Sequence, residues 1–450
     1  MHTETQVNVE TELSEARVGR LHRTLGVLIT LMTMFDGYDT FNPAYVIHYV
    51  AGPWGLTPGQ AGFLVSSGLV GFLVGAAGHG AVADRLGRRR TMIAGLWLVN
   101  LFTLLTPLLG HGFAVFCGMR MLTGIGLGVL LPLGTTYINE LAPRRVSNVF
   151  SLWGVTLGWS LGGTVAGLVG VFLTPRFGWE ILYWVGALSI PLTFVLQAVL
   201  PESPRFLAAK GRTEELRALL GRLRPERAAS YAAAALVLPP VPRVRNPIAA
   251  LLEPRYRRVS LTIWATSFLS LFCVFGLTGW IPTVMMQRGE SFAASFGFGA
   301  LMQMTSFLGG LTLAGIVDRR PSRATRFLST WWLVGGFSVL VLLFADSHVV
   351  NLVSVAASGF FIVGAQHVLN NFTASSYETG MRASAVGMEL GVGRVGAILG
   401  PFVAGLLQSA THGSQAMFWT LGIAALVGAG TIASLGLRGP QAPEVQLVRS

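Results

Sequence analysis

Four ionisable residues lie in stretches that are otherwise almost entirely apolar: Asp36, Asp39, Arg120 and Arg394. A charge near the centre of a bilayer costs about 2.5–3.5 kcal/mol on insertion scales, so each one that is retained needs a partner or a task. Two acids in the first apolar stretch and two bases in the fourth and eleventh predict charge pairing across a polar cavity. A fifth residue, Glu389, has three open interpretations: a second protonation site, a partner of Arg394, or a residue near the cytoplasmic end of its stretch.

Asp36 and Asp39 are three residues apart, a spacing that places both carboxylates on one face of a helix. Two close carboxylates in a medium of low dielectric resist being ionised together, so one of them takes up and releases a proton readily. The pair therefore has the outline of a proton-coupling site. The alternative is that one of the two acids only caps a helix that is kinked beside Gly37.

Arg120 opens a run in which Gly124, Gly126 and Gly128 alternate with apolar residues. Small residues let a neighbouring helix approach closely, so we expect these glycines to clear one helix face and to hold the guanidinium at a fixed depth. The alternative is a structural ion pair between Arg120 and an acid of the first span. The two roles are compatible, because a pair that breaks upon protonation is itself a coupling device.

Arg394 lies in the middle of the apolar run from Gly391 to Pro401, and the residue that aligns with it in the other half of the chain is Thr156. A guanidinium in a dry site binds a carboxylate bidentately, which predicts a small organic anion as the substrate. The alternative is a neutralising pair with Glu389. The same run matches the dinucleotide fingerprint GxGxxG, but it lies within an apolar span and no strand precedes it, so no nucleotide cofactor is expected.

The composition is that of a membrane protein. Only 12% of the 450 residues are charged and 52% are apolar, whereas an ordinary globular protein has roughly 25% charged residues. We predict twelve spans of about 20 residues each, at 24–46, 59–81, 91–110, 113–137, 149–173, 180–200, 260–284, 295–317, 326–345, 350–374, 384–408 and 415–437. The two cysteines allow no disulfide framework and have no metal-ligand spacing, so neither a metal nor another cofactor is expected.

The basic residues are sorted by loop, since Arg176 and Arg288 are the only ones in the predicted outer loops. The positive-inside rule then predicts a multi-pass protein of the inner (plasma) membrane with both termini in the cytoplasm. The net charge of +12 reflects this topology rather than a nucleic-acid patch. The expected partners are the lipid bilayer, a small organic anion and protons, and a monomer is expected.

One long polar segment divides the chain into two sets of six spans. The predicted organisation is a cytoplasmic N-terminal tail (1–23), an N-terminal six-helix bundle (24–200), a cytoplasmic linker with short helices (201–259), a C-terminal six-helix bundle (260–437) and a cytoplasmic C-terminal tail (438–450).

Charged loop motifs repeat between the two halves. Glu140 aligns with Glu378 and Arg144 with Arg382 at an offset of 238, and Asp84 aligns with Asp318 and Arg85 with Arg319 at an offset of 234. The repeat predicts a duplicated six-helix unit, and such units bind substrate near the bilayer midplane and rock to open the site to each side in turn. We assign a gating role to these residues and to Gly80, Arg88 and Arg89 of the same loop; the alternative is a role in stability alone.

Three motifs resemble the major facilitator superfamily: the loop from Gly80 to Arg89, the run from Arg120 to Gly128 and the segment from Pro201 to Leu207. Within it, the segments Asp36 to Thr40, Trp280 to Thr283, Gly364 to Asn370 and Gly391 to Pro401 resemble the aromatic acid:proton symporter family. The resemblance covers residues 24–437. It implies an all-α membrane protein with twelve transmembrane helices in two pseudo-symmetric six-helix bundles, which imports benzoate-like or hydroxybenzoate-like acids into bacteria.

The resemblance also implies roles for single residues. Asp36, Asp39 and Arg120 would couple protons, and a further likeness to the first span of proton-coupled sugar porters favours Asp39 as the partner of Arg120 and the principal proton carrier. The expected substrate-binding residues are Arg394 for the carboxylate, Gln366 and Asn370 for ring substituents, Trp280 or Tyr38 for stacking on the ring, and His367, which follows Gln366.

The expected function is proton-coupled import of a small aromatic carboxylate by alternating access. Within the same fold, the alternatives are import of an aliphatic dicarboxylate, of nicotinate or of a sugar, and drug export; sodium in place of protons also stays open. A membrane enzyme or receptor is the alternative from a different class. No HExxH, GxSxG or Walker motif supports it, so the protein is not expected to be an enzyme.

Overall fold

The computed structural model describes residues 6–143, 156–232, 234–238, 247–344, 347–378 and 381–436. These residues are mostly helical, as predicted, and two strands of three residues, β1 (Gln6–Asn8) and β2 (Ala235–Val237), pair in parallel. The helices are α1 (Val9–Ser14), α2 (Arg20–Val50), α3 (Pro58–Leu86), α4 (Arg88–Leu109), α5 (Phe113–Leu141), α6 (Gly158–Phe172), α7 (Thr174–Phe177), α8 (Glu180–Gly186), α9 (Ser189–Val199), α10 (Pro204–Ala209), α11 (Thr213–Leu223), α12 (Ala228–Ala232), α13 (Pro247–Leu251), α14 (Pro254–Gln287), α15 (Phe292–Arg319), α16 (Ala324–Val341), α17 (His348–Ser358), α18 (Gly364–Ser375), α19 (Arg382–Thr411) and α20 (Gln415–Gly436). A π-helical segment, Gly359–Val363, joins α17 to α18.

Within the described ranges, each of the twelve predicted spans overlaps a helix or a helix pair. Nine helical stretches in these ranges are long and apolar enough to cross a bilayer. The first span is α2, whose 31 residues include the two buried acids Asp36 and Asp39, so it has no long uninterrupted apolar stretch. The fifth span is described only as the 15 residues of α6, and the ninth is the 18-residue α16. The helices of the described residues therefore follow the same order along the chain as the predicted spans.

The internal duplication is visible in how glycines pack. On α6, Gly158 and Gly162 lie so close to α2 that an added Cβ would meet the carbonyl oxygens of Thr30 and Met34. On α19, Gly396 and Gly400 lie equally close to α14, against the carbonyl oxygens of Phe268 and Phe272. The two glycines of α6 and the two residues they face on α2 each precede their counterparts on α19 and α14 by 238 positions. The two halves therefore repeat not only their sequence but also the register of this helix pair.

The glycine run after Arg120 packs against two helices rather than one. Gly124 and Gly128 face the backbone of α3, whereas Gly126 faces α4, where an added Cβ would lie 2.6 Å from Val99 Cγ2. The expectation of a single cleared face was wrong, because residues two apart on an α-helix point roughly 200° away from each other. Close packing on both sides holds α5, and with it Arg120, at a fixed depth.

We expect Gly128→Ala to destabilise the protein by about 1–3 kcal/mol, the usual cost of overpacking a tight interior. A Cβ at this position would meet Phe72 O and would lie 2.8 Å from Ala76 N, and backbone atoms cannot turn aside. The control is Gly118→Ala on the same helix, where a Cβ would have no heavy atom within 4 Å among the described residues. Thermal unfolding of the purified variants measures the difference; equal midpoints for the two variants would contradict the close approach of α3 and α5.

The N-terminal segment is folded onto the linker, which the sequence analysis did not predict. Helix α11 buries Leu216, Leu219, Leu220 and Leu223 in a cluster that also contains Val9 and Leu13 of α1. Glu12 of α1 is only 5% exposed and binds three donors.

The donors to Glu12 all come from the linker. Arg224 and Arg227 approach its carboxylate at 2.8 and 2.6 Å, and the Tyr231 hydroxyl donates to it at 2.7 Å. Burial, together with the hydrogen bond to Glu12, raises the pKa of the Tyr231 phenol. A buried carboxylate is stable only when such donors surround it, so this cluster ties residues 6–16 to the linker.

The described residues form two compact units, and the division does not follow the linker alone. The first unit lies within residues 1–42, 67–169 and 173–241, and the second within 43–66, 170–172 and 242–450. In the second unit, α3 meets α19, where the Ser66 hydroxyl donates to Ile398 O at 2.7 Å and an added Cβ at Gly62 would meet Pro401 O.

Candidate functional site

Asp39 and Arg120 form a buried ion pair in the first unit. The two side chains are 1–2% exposed, and Arg120 Nη1 lies 3.5 Å from Asp39 Oδ1. Arg120 Nη2 also donates to the main-chain carbonyl of Asp39 at 2.6 Å. The structure therefore brings together the acid and the base that the sequence analysis paired. Because the second bond is made to the backbone, Arg120 keeps one contact with α2 that does not depend on the charge of the carboxylate.

Two further side chains complete this pair, and neither was predicted from the sequence. The Thr103 hydroxyl of α4 donates to Asp39 Oδ2 at 3.1 Å, so the two carboxylate oxygens have different partners. The ring of Tyr183, on α8, lies beneath the Arg120 guanidinium with its centroid 5.9 Å from Cζ. No sequence signal separates Thr103 from the other threonines of the spans or Tyr183 from the other tyrosines.

Asp36 and Tyr38 are also buried in α2, each 2% exposed. The Tyr38 hydroxyl donates to Leu182 O at 2.8 Å, which fixes its ring against α8. An added Cβ at Gly186 would lie 3.5 Å from Tyr38 Cε1 and 3.8 Å from Asp39 Oδ1. The ring of Tyr38 thus packs beside the carboxylate of the ion pair.

In the second unit, Arg394 of α19 lies over an aromatic ring. Arg394 is 5% exposed, and its Cζ lies 5.8 Å from the centroid of the Phe275 ring on α14. Phe275 is itself 2% exposed. The sequence gives no signal for Phe275, since nothing in its neighbourhood distinguishes it from the other 26 phenylalanines. The arrangement presents a delocalised cation on an apolar support, a surface suited to a planar anion.

Glu389 is the centre of a second polar cluster in this unit and is fully buried, at 0% exposure. The Ser267 hydroxyl donates to Glu389 Oε1 at 2.8 Å, and Gln366 Nε2 lies 3.4 Å from the same oxygen. With its nitrogen facing the carboxylate, the Asn370 amide donates to both Glu389 oxygens at 3.2 Å. The two amides that we expected to bind ring substituents thus face a carboxylate in this structure. The attraction between Arg394 and Glu389 adds to these hydrogen bonds.

Trp280 and His367 occupy packed positions. Trp280 is 2% exposed, and its indole nitrogen donates to Pro401 O at 2.9 Å, which links α14 to α19. His367 lies against α15, where an added Cβ at Gly310 would be 3.2 Å from its Cδ2. Within the second unit, the structure places Gln366 and Asn370 together at Glu389 and Arg394 over Phe275.

The predicted gating loop of the first unit forms a charged network. Arg88 lies 3.0 Å from Asp84 and 3.8 Å from Glu140, and the Ser203 hydroxyl donates to Glu140. Glu202 Oε1 accepts the main-chain N–H of Arg89 at 3.1 Å. Gly80 and Arg85 are in the same loop, where Arg85 is exposed and an added Cβ at Gly80 would meet open space. Arg144 lies outside the described residues.

The repeat of this network in the second unit is reduced. Glu378 lies 3.4 Å from Arg255 and accepts the Tyr256 hydroxyl at 3.0 Å, and Arg382 Nε donates to Tyr377 O at 3.1 Å.

Asp318 and Arg319, the counterparts of Asp84 and Arg85, are exposed, and within the described ranges their side chains make no hydrogen bond or ion pair. The sequence explains why Asp318 lacks the ion pair of Asp84. The residue that aligns with Arg88 at the offset of 234 is Ser322, which carries no charge.

Comparison with known proteins identifies the family to which this architecture belongs. The family model described as the Major Facilitator Superfamily matches residues 27–388. The chain is 32% identical over 414 residues to the gallate transporter of Pseudomonas putida, covering 91% of each chain. It is 31% identical over 385 residues to the 4-hydroxybenzoate transporter PcaK of Pseudomonas aeruginosa, covering 85% of each.

A solved structure agrees with the fold. The xylose transporter XylE from E. coli, in a partially occluded inward open conformation, matches with a TM-score of 0.72 at 18% identity, covering 92% of this chain and 98% of that one. At this identity the likeness supports the fold alone, and it confirms the predicted all-α membrane architecture. The curated relatives are transporters, not enzymes. The chain belongs to the Major Facilitator Superfamily, in the group whose named members transport aromatic acids.

Proposed function

We propose that the protein is a secondary transporter that imports a small aromatic carboxylate together with a proton. The observation that carries the proposal is the buried ion pair between Asp39 and Arg120, because a protonatable acid held by a single base in a dry site is a two-state element. The named substrates of two relatives, gallate and 4-hydroxybenzoate, are both aromatic carboxylates and supply the substrate class.

Protonation of Asp39 would cancel its attraction to Arg120 without releasing the arginine altogether. The bond from Arg120 Nη2 to the Asp39 carbonyl and the hydrogen bond from Thr103 remain available to the neutral acid. The change is therefore a local loosening between α5 and α2, and a bundle that rocks can use it to favour one of its two states. Asp36, one turn earlier on the same helix, would share the coupling role.

The substrate carboxylate would bind Arg394, whose guanidinium can donate two parallel hydrogen bonds to it. Phe275 lies beneath that guanidinium and offers an apolar surface to the substrate ring. Gln366 and Asn370 would reach a ring hydroxyl only by exchanging it for Glu389, their acceptor in this structure. The energy to desolvate the substrate would thus come from Arg394 rather than from the amides.

The loop residues would close the cytoplasmic side. We assign this role to the network of Asp84, Arg88 and Glu140 in the first unit and to Glu378 with Arg382 in the second. The protein would lie in the plasma membrane of a bacterium with both termini in the cytoplasm, because the basic residues are concentrated in the loops on that side.

Uptake into proteoliposomes tests the proposal. With an inward proton gradient, we expect accumulation of radiolabelled 4-hydroxybenzoate, gallate or benzoate, and abolition of that accumulation by a protonophore. Nicotinate, succinate and xylose serve as competitors, and we expect each of the three to inhibit uptake less than unlabelled 4-hydroxybenzoate, gallate or benzoate does. Accumulation that follows a sodium gradient, or competition by xylose alone, would overturn the proposal.

A further inference from the structure

A charged cleft of about 280 Å³ opens in the first unit, away from the residues proposed for substrate and protons. It is bounded by the first turn of α4, by the segment that follows α9 and by one face of α11. Its charged lining residues are Arg89, Arg90, Glu202, Arg212, Glu215 and Arg222, and Leu200, Pro201, Leu207, Ala218 and Leu219 supply the apolar part.

The arginines of this cleft exceed what its acids can balance. Glu215 is taken up by Arg212, to which it binds through both oxygens at 2.6 and 2.7 Å. Glu202 is occupied by backbone, since its Oε1 accepts the N–H groups of Arg89 and Ser203 at 3.1 and 2.9 Å. Among the described residues neither acid forms an ion pair with the other three arginines, and four arginines against two acids leave the cleft with a net positive charge.

Those three groups have donors to spare. Arg90 and Arg222 are exposed, and with the described part of the chain their side chains form no hydrogen bond or ion pair. Arg89 donates through Nη2 to Gln197 O at 2.6 Å, while its Nε is buried without a partner among the described residues. A buried N–H that lacks an acceptor costs about 1–3 kcal/mol, so an anion with several oxygens would be bound here with a gain.

The cleft lies where membrane helices end. Arg89 and Arg90 begin α4, and Leu200 directly follows α9. Between one and three turns into these helices, Phe194 is 58% exposed and the Trp97 ring packs edge-on against it, with centroids 5.0 Å apart. Exposed apolar and tryptophan side chains at this depth are typical of a surface that faces lipid.

We propose that this cleft binds the phosphate of an anionic phospholipid, such as phosphatidylglycerol, in the cytoplasmic leaflet. The side of the membrane rests on the orientation given under the proposed function. A phosphodiester supplies the oxygens for Arg89, Arg90 and Arg222, and the apolar side chains of the cleft accept the glycerol and the start of the acyl chains. Basic pockets between membrane helices on this side recognise lipid headgroups in this manner. The lipid, rather than free phosphate, is favoured because the lipid-facing surface of α4 and α9 adjoins the cleft.

Binding of phosphatidylglycerol to the full chain in detergent tests the proposal. The variant is Arg90→Gln with Arg222→Gln, neither of which we place in the transport machinery, and the control is Arg257→Gln with Arg326→Gln, which removes two exposed arginines elsewhere on the chain. We expect the first pair to weaken binding roughly thirtyfold and the control pair to leave it nearly unchanged. The readouts are the number of lipids retained in native mass spectrometry and the shift of the thermal midpoint on lipid addition.

Three results would overturn the lipid site: phosphatidylcholine binding as tightly as phosphatidylglycerol, inorganic phosphate raising the midpoint as much as the lipid does, or the control pair losing lipid equally. Uptake of 4-hydroxybenzoate is measured on the same preparations. Lipid binding without uptake would contradict the proposed function and leave the lipid site supported. Uptake without selectivity for phosphatidylglycerol would contradict the lipid site and leave the proposed function supported.

Discussion

Asp39→Asn is expected to abolish accumulation of 4-hydroxybenzoate while leaving its equilibration across the membrane intact. With one proton per anion, a pH gradient of about one unit supports roughly tenfold accumulation, because a tenfold concentration ratio corresponds to about 1.4 kcal/mol. Asparagine has the shape of aspartate and can still accept the Thr103 hydrogen bond, but it cannot take up or release a proton. The ratio of inside to outside substrate should therefore fall to about one.

The same substitution leaves Arg120 as a buried charge without its acid, and breaking a buried pair in this way costs about 3–5 kcal/mol. Loss of uptake by unfolding must be separated from loss of coupling. The double variant Asp39→Asn with Arg120→Gln removes both charges, and we expect it to recover most of the thermal midpoint without recovering accumulation. Glu253→Gln, an exposed acid at the start of α14, is the control for acid removal.

Substrate counterflow distinguishes the two effects directly, since exchange needs the alternating states but no net proton movement. A folded Asp39→Asn variant should exchange labelled substrate at a rate comparable to that of the unaltered protein. Accumulation of about tenfold in this variant would show that another group carries the proton, and Asp36 and Glu389 would be examined next.

The buried pair could be predicted from the sequence because charge in an apolar span is rare. Asp39 and Arg120 stand out against their neighbours, and the cost of burying each of them singly requires the other. The repeated charged loops likewise predicted a duplicated fold, and their offset of 238 reappears in the contacts of Gly162 and Gly400. Rare residue types and internal repeats can be recognised in a single sequence, so the features that depend on them could be predicted.

The partners of these groups could not be predicted, because they are common residues selected by helix rotation. Thr103 and Phe275 are one hydroxyl and one ring among many, and only the orientation of α4 and α14 turns them towards Asp39 and Arg394. The Gln366 amide was assigned to substrate, although a buried carboxylate on the neighbouring helix satisfies it. The folded N-terminal segment was missed for the same reason, since its core is built from contacts with α11 that are far away in the sequence.

Arg394→Ala is expected to weaken the binding of 4-hydroxybenzoate by roughly 30- to 4,000-fold, the range that corresponds to a loss of about 2–5 kcal/mol for a truncated buried charge pair. The preference for the acid over its neutral amide should disappear together with the affinity. The unaltered protein should prefer the acid strongly to its neutral amide, 4-hydroxybenzamide, because only the carboxylate forms a charged bidentate contact. The variant should bind the acid and the amide with similar weak affinity, measured by competition with labelled substrate.

A matched control is available in the same unit. Arg288 also lies over a phenylalanine, with Cζ 4.9 Å from the centroid of Phe418, at the C-terminal end of α14. Arg288→Ala removes the same charge and the same type of ring contact, and we expect it to change the ratio of acid to amide binding by less than about threefold.

The competing role for Arg394 is to neutralise Glu389, and a second variant separates the two roles. If Arg394 only balances that carboxylate, Glu389→Gln should restore both stability and substrate affinity to the Arg394→Ala protein, since no buried negative charge is then left over. If Arg394 binds the substrate, Glu389→Gln should restore stability at most. Recovery of the preference for acid over amide in the double variant would refute the assignment, because neither alanine nor glutamine can replace a cation facing a carboxylate.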